Sequence, residues 1–252
     1  MKILLYDCET TPSWAYIWHC WQDNIPINMI GDSGELLCWC AKWLGERKVM
    51  HGAAWEKGGI EQCIRGLHEL IEEADAVVAH NGASFDAKVM NTMFLKYNFD
   101  PPSPAKMIDT LQVARSKFKL LSNKLDFLGQ YLEEGRKIDT GGFELWLNVM
   151  QGNSKAQKKM LTYNRRDVLL LERIYLRLRP WITNHPNAGV LNDENADSPV
   201  CTNCGSRDVV KKGTSATKQG IYKRYKCNAC GTPLRGRYTQ IKKNENILTQ
   251  EV

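Results

Sequence analysis

Leu4-Leu5-Tyr6-Asp7-Cys8-Glu9-Thr10-Thr11-Pro12 is an apolar run that turns acidic and stops at a proline. In a β-strand successive side chains point to opposite faces, so Asp7 and Glu9 share a face, about 7 Å apart along the backbone. Two carboxylates that close repel by about 4 kcal/mol at 4 Å in an effective dielectric of 20. A hard divalent cation turns that cost into binding, because such ions prefer oxygen ligands. The alternative is a solvated strand end with two ordinary acids.

Trp14 to Asn28 follows as an irregular stretch holding Trp14, Tyr16, Trp18 and Trp21. These rings are expected to lid the core; the other reading is a stacking surface for bases. Glu35–Trp43 and Arg47–Trp55 have strand composition around a Leu44-Gly45-Glu46 turn. With the first strand they make an antiparallel meander. Ile60, Cys63, Ile64, Leu67, Leu70 and Ile71 form one stripe of a helix over 60–73, and 75–79 is a short buried strand. Strands, a helix, a strand and then alternating helices make an α/β pattern.

His80-Asn81-Gly82-Ala83-Ser84-Phe85-Asp86 stands where that strand ends, the usual place for ligand contacts in open sheets. Gly82 permits a tight turn, and Ser84 is read as the N-cap of a helix running to Tyr97. Asp86 falls on the apolar stripe of that helix, where a carboxylate needs a proton, a partner or a metal. Lys106–Asp109 reads as another strand, Asp109 as the N-cap of the next helix, and Ser122-Asn123 as the cap of a helix over 124–132. The longest helical pattern spans 153–179, with Met160, Tyr163, Asp167, Leu170, Leu171, Ile174 and Leu178 on one stripe. Tyr163 and Asp167, four residues apart, meet on that face.

Asp7, Glu9, Asp86 and Asp167 are thus four acids on a strand or on otherwise apolar helix faces. Two Mg²⁺ or Mn²⁺ ions would balance them, activate a water and steady the leaving oxygen of a phosphodiester. Tyr163 could orient that water. On these residues the chain resembles the DEDD superfamily of 3′–5′ exonucleases, which have a ribonuclease H-like fold. Asp7-x-Glu9 matches the first motif, Asn81-x-x-x-Phe85-Asp86 the second and Tyr163-x-x-x-Asp167 the third, in its tyrosine subclass. Position 162 is Thr, so the histidine subclass pattern is absent. The closest flavour is the proofreading domain of family B DNA polymerases and its stand-alone phage and bacterial relatives. The resemblance covers residues 1–180. It implies that the four acids bind the metals, that Tyr163 positions the nucleophilic water, and that Asn81 and Phe85 seat terminal nucleotides at DNA or RNA 3′ ends. It also implies a DNA polymerase or replication protein as a candidate partner.

Charge is unevenly placed in this 252-residue chain of formal net charge +6. Residues 200–252 hold eleven Lys/Arg against three Asp/Glu, a net +8 that leaves −2 for the rest. That asymmetry suggests a polyanion partner. Residues 181–199, rich in Asn, Asp and Pro, read as a linker. Cys201-Thr-Asn-Cys204-Gly205 and Cys227-Asn-Ala-Cys230-Gly231 follow, two Cys-x-x-Cys pairs whose four thiolates suit one structural Zn²⁺. A hairpin-like pair of strands fills the spacer, making a zinc ribbon over 200–240 with a tail over 241–252. Lys211, Lys212, Lys223, Arg224, Lys226, Arg235 and Arg237 surround Tyr222, Tyr225 and Tyr238, a pattern that fits phosphate contact with base stacking. The ribbon resembles those at the front of some bacterial transposases, which implies DNA contact; a protein-docking ribbon is the other reading.

The fold expected is an α/β ribonuclease H-like mixed sheet with flanking helices and a small C-terminal β ribbon. No membrane span and no secretory signal are read, and the remaining cysteines are taken as reduced thiols of a cytoplasmic protein. The function expected is metal-dependent 3′–5′ exonuclease action, with DNA favoured over RNA. Its rivals are a catalytically idle nucleic-acid-binding or replication accessory protein and a structure-specific endonuclease using the same metals.

Overall fold

A computed structural model describes residues 1–192, 197–218 and 220–241; the tail from 242 onward lies outside them. The chain divides into two compact units, Lys2–Tyr175 and a second built from Leu176 onward together with Met1.

The first unit is built on a mixed sheet. β1 (Ile3–Thr10) pairs antiparallel with β4 (Leu36–Trp43), which pairs antiparallel with β5 (Met50–Ala53). The other edge of β1 pairs in parallel with β6 (Ala76–Ala79), and β6 with β7 (Lys106–Asp109). The order β5-β4-β1-β6-β7 places β1 at the centre, between its antiparallel and parallel halves. The expected ribonuclease H-like mixed sheet with its meander is therefore what forms.

The side chains of β1 sort by parity. Leu4, Tyr6 and Cys8 join a core with Cys63, Ile64 and Leu67 of α1 (Gly59–Glu72) and Met90, Met93 and Phe94 of α2 (Asp86–Lys96). Asp7 and Glu9 take the other face. There Leu37 and Cys38 pack with Leu145 and Val149 of α5 (Glu144–Met150) and Met160 of α6 (Ser154–Leu178). Two short helices, α3 (Thr110–Lys117) and α4 (Leu125–Tyr131), lie between β7 and α5 in the chain. Asp109 caps α3 as expected, accepting from the amides of Leu111 and Gln112.

Three local readings are corrected. Ser84 caps no helix: Phe85 holds the cap position of α2 without a side-chain cap bond. The turn closes on itself instead, the amides of Ser84 and Phe85 donating to the Asn81 carbonyl at 3.1 and 3.0 Å with Asn81 at φ 70°. Lys124, not Asn123, holds the cap position of α4, while the Ser122 hydroxyl accepts from the Lys124 amide at 3.3 Å. The aromatic stretch does not lid the core. It forms a small two-stranded excursion, β2 (Trp14–Ala15) and β3 (Ile30–Asp32), with Trp18 and Trp21 86% and 90% exposed.

The second unit carries a three-stranded antiparallel sheet in the order β10-β9-β8: Pro233–Arg235, Gly220–Cys227 and Val209–Thr217. The stretch read as a linker is partly structured. Arg179–Trp181 is a 3₁₀ turn, and α7 (Ala188–Asn192) is tied by the Ala188 amide to the Thr202 carbonyl at 2.7 Å. Residues 193–196 of that stretch lie outside the described residues. No helix among the described residues is long and apolar enough to cross a membrane.

Candidate active site

β6 pairs with β1 only along Ile3–Leu5, so beyond Leu5 the parallel edge of β1 loses its partner. A crevice at strand ends follows, the place where open sheets bind ligands. Into it comes Asp86, the first residue of α2, whose Oδ1 accepts the orphaned Cys8 amide at 2.9 Å. On its other edge β1 shifts register between Glu9 and Thr10, an irregularity of the kind found beside active sites.

α6 delivers the fourth acid. Ligand oxygens of Asp7, Glu9 and Asp167 lie within 4.8 Å of one another. Asp86 is not of that trio but is 2% exposed beside it, and Asp167 is wholly buried. None of the four expected acids turns away into bulk water.

Two residues of the site were missed from sequence. Asn164 donates from Nδ2 to Asp7 Oδ2 at 2.7 Å and fixes that carboxylate. Helical spacing carried the signal, since Asn164 lies three residues before Asp167 and four after Met160, on the same buried face. Lys137 reaches from the loop after α4, its Nζ 2.6 Å from Asp167 Oδ2 and donating to the Tyr163 hydroxyl at 3.0 Å. No periodic pattern runs through a loop, so nothing in the sequence marked it. The Lys137 amide donates to Asp126 Oδ1 at 2.7 Å, which anchors the loop to α4.

One lysine among four carboxylates leaves a surplus of negative charge. Burial, then Asp86, Glu9 and Asp167, push the Asp7 pKa well up. Burial and the neighbouring Asp167 and Asp86 push Glu9 up to about 8, against the pull of Lys137. Asp86 is raised to about 6 by burial, with the Cys8 amide opposing. Burial also raises Asp167, and its Oδ1 has no hydrogen-bond partner. Burial and the Asp167 charge raise Tyr163, so its phenol keeps its proton. Clustered carboxylates that cannot ionise at little cost, with a buried oxygen unpaired, fit a divalent cation held by Asp7, Glu9 and Asp167, with Asp86 beside them.

Two cavities are lined by neighbours of these acids, one by Lys137, the partner of Asp167, and the other by Thr10 and Phe85, next in sequence to Glu9 and Asp86. One, of about 510 Å³, is lined by His80, Asn81, Arg115, Asn123 and Lys137. The other, of about 520 Å³, is lined by Thr10, Thr11, Phe85 and Lys88. Asn81 and Phe85 therefore stand in separate cavities.

In the second unit the sulfurs of Cys201, Cys204, Cys227 and Cys230 lie within 4.8 Å of one another. Cys201–Cys230 and Cys204–Cys227 are each 3.6 Å apart. A tetrahedral Zn²⁺ with bonds of about 2.3 Å separates its sulfurs by about 3.8 Å, so the cluster fits one ion. The two halves repeat a turn: the Gly205 amide donates to the Cys201 carbonyl and the Gly231 amide to the Cys227 carbonyl, both at 2.9 Å. Both glycines have φ near +76°, which any Cβ would oppose. The expected cationic side chains of this unit are exposed on β8, β9 and the segment from β10 to Arg237, while Tyr222 and Tyr225 are half-buried.

A model of the RNase_H superfamily (RNase_H_2) matches residues 43–179, a span that takes in Asp86, Lys137, Tyr163 and Asp167 and begins after Asp7 and Glu9. No curated protein matches the chain. Among solved structures, it is similar to the family B DNA polymerase of the hyperthermophilic archaeon Pyrobaculum calidifontis, at 15% identity and a TM-score of 0.48. The alignment covers 73% of this chain and 26% of that one, so the chain spans about a quarter of the polymerase's length.

Proposed function

The chain belongs to the RNase_H superfamily, and from that premise we propose that it is a metal-dependent 3′–5′ exonuclease of the DEDD tyrosine subclass with a C-terminal zinc ribbon that aids nucleic-acid binding. DNA is the favoured substrate. One observation carries the reading: carboxylate oxygens of Asp7 and Glu9 from β1 and Asp167 from α6 lie within 4.8 Å of one another, with Asp86 of α2 bound to the Cys8 amide beside them and Lys137 paired to Asp167.

Bound by Asp7, Glu9, Asp86 and Asp167, two Mg²⁺ or Mn²⁺ ions would supply Lewis-acid polarisation and a nucleophile at neutral pH. The chain's own groups do the rest. Asn164 holds the Asp7 carboxylate in one orientation. Tyr163, kept protonated, offers a hydroxyl that orients a water through its lone pairs. Lys137 donates to that hydroxyl and holds a positive charge where negative charge develops on a phosphoryl group. Burial weakens the Lys137 charge, but Asp167 more than restores it, so Lys137 stays protonated. Asn81 and Phe85 seat the terminal nucleotides, and the reading places a DNA polymerase or replication protein among the candidate partners.

A single strand labelled at its 5′ end tests this. Incubated with Mg²⁺ or Mn²⁺, it should shorten one nucleotide at a time. Internal cuts would favour an endonuclease, and binding without cleavage an idle accessory protein.

A further inference from the structure

The second unit holds a groove the cysteine and lysine motifs did not announce. About 620 Å³ in volume, it is bounded by Pro180, Trp181, Lys212, Arg224, Lys226 and Pro233. Its apolar wall is held in place. Arg179, next to Pro180, is buried, donating from Nε to Asn203 Oδ1 at 2.9 Å and from a terminal nitrogen to the Asn203 carbonyl at 2.7 Å. Asn203 returns a bond to the Arg179 carbonyl at 2.7 Å and donates to the Thr232 hydroxyl at 3.0 Å. Asn203 and Thr232 belong to the two cysteine turns, so the cysteine cluster and the Pro180-Trp181 wall form one preorganised body. Trp181 remains half exposed.

The cationic wall is built against its own stability. In β8, Lys212 and Gly213 together oppose Arg224, a bulge in which Gly213 takes φ +78°. The bulge sets Lys212 beside Arg224 along the groove. Arg224 in turn pairs directly with Arg235 across β9–β10, and like charges opposite one another repel. Among the described residues no carboxylate pairs with Lys212, Arg224 or Lys226; Asp197 is taken by Arg207 and Asp208 by Asn228. Cations gathered without counter-charge next to a flat indole have the two parts that unpaired nucleic acid requires: phosphate contact and a stacking face. A duplex offers its backbone but keeps its bases stacked inside.

We propose that this groove binds an unpaired nucleotide of single-stranded nucleic acid, its base on Trp181 and its flanking phosphates on Lys212, Arg224 and Lys226. The proposal rests on the nucleic-acid reading of the ribbon and adds to it strand selectivity and a base-stacking residue outside the ribbon's sequence motif.

The test uses the full zinc-loaded chain and a fluorescent phosphorothioate oligothymidylate without added Mg²⁺ or Mn²⁺. Trp181→Ala should weaken binding about tenfold. It should leave affinity for a duplex of the same length unchanged, and Trp181→Phe should keep most of the affinity. Replacing Lys212, Arg224 and Lys226 by Ala should weaken both strands' binding and flatten the salt dependence. Zinc content of each variant checks that the unit is folded. Wild-type affinity in Trp181→Ala, with the triple variant weakened, would overturn the nucleotide site and leave the ribbon's reading standing. Wild-type affinity in every variant would overturn both. Equal displacement by poly-glutamate would overturn the proposal in favour of an acidic protein partner.

Discussion

Asn164 shows how much of the site rests on residues that are not themselves acids. Its side-chain amide is the hydrogen-bond donor found on the Asp7 carboxylate, at 2.7 Å. Removing such an orienting partner costs about 10–100-fold in metal affinity or activity. Asn164→Ala should therefore move the Mn²⁺ midpoint of turnover up by about that factor, with turnover recovering at saturating metal. Loss at every metal concentration would place Asn164 elsewhere in the chemistry. The acids themselves predict a pH effect with a definite sign. Their folded pKa values are raised above the unfolded ones, Glu9 from 4.5 to about 8 and Asp86 from 3.8 to about 6. Between those values the folded state holds protons that the unfolded state has released, so stability falls as pH rises from about 4 to about 8. Protein without Mg²⁺ or Mn²⁺ should lose several degrees of melting temperature from pH 5 to pH 8. Added Mn²⁺, which needs ionised carboxylates, should stabilise more at pH 8 than at pH 5. A melting temperature flat across that range would show that these acids are not charge-strained.

At the scale of elements, β1 and α6 do most of the positioning, and both were legible. Leu4–Glu9 alternates faces in the structure as its sequence says, and the 153–179 pattern became a helix over Ser154–Leu178. Periodicity reveals what repeats. It could not reveal Lys137, whose place depends on a loop anchored to Asp126, nor the outward turn of Trp18 and Trp21, since aromatic composition alone does not say which side faces water. Ser84 failed as a cap because Asn81, in a left-handed conformation, closes the turn first. The reading of 181–199 as a linker missed the Arg179 clamp beside it, since its partners, Asn203 and Thr232, are distant in sequence. The cysteine turns make their own prediction. A small β unit has little core, so a metal held by the four cysteines would supply folding energy, on the order of 10–16 kcal/mol for zinc-finger peptides. Cys227→Ser should drop bound zinc from one ion per chain to none and expose Arg179 and Asn203 to rapid hydrogen exchange. Retained zinc and protection would mean the sheet stands without its ion.

At the scale of the whole molecule, the four acids and the net positive charge lie apart in the sequence. The acids lie within Lys2–Tyr175, whereas residues 200–252 carry a net +8 against −2 for the rest. In the proposed function the first part hydrolyses and the second holds a polyanion, so the account depends on metal at the acids. Anomalous diffraction from a crystal soaked in Mn²⁺ with a short phosphorothioate oligonucleotide reads that directly. The account predicts two Mn²⁺ peaks ligated by Asp7, Glu9, Asp86 and Asp167, next to the 3′-terminal phosphodiester. An acid cluster without Mn²⁺, its carboxylates still served only by Lys137, Asn164 and the Cys8 amide, would contradict it.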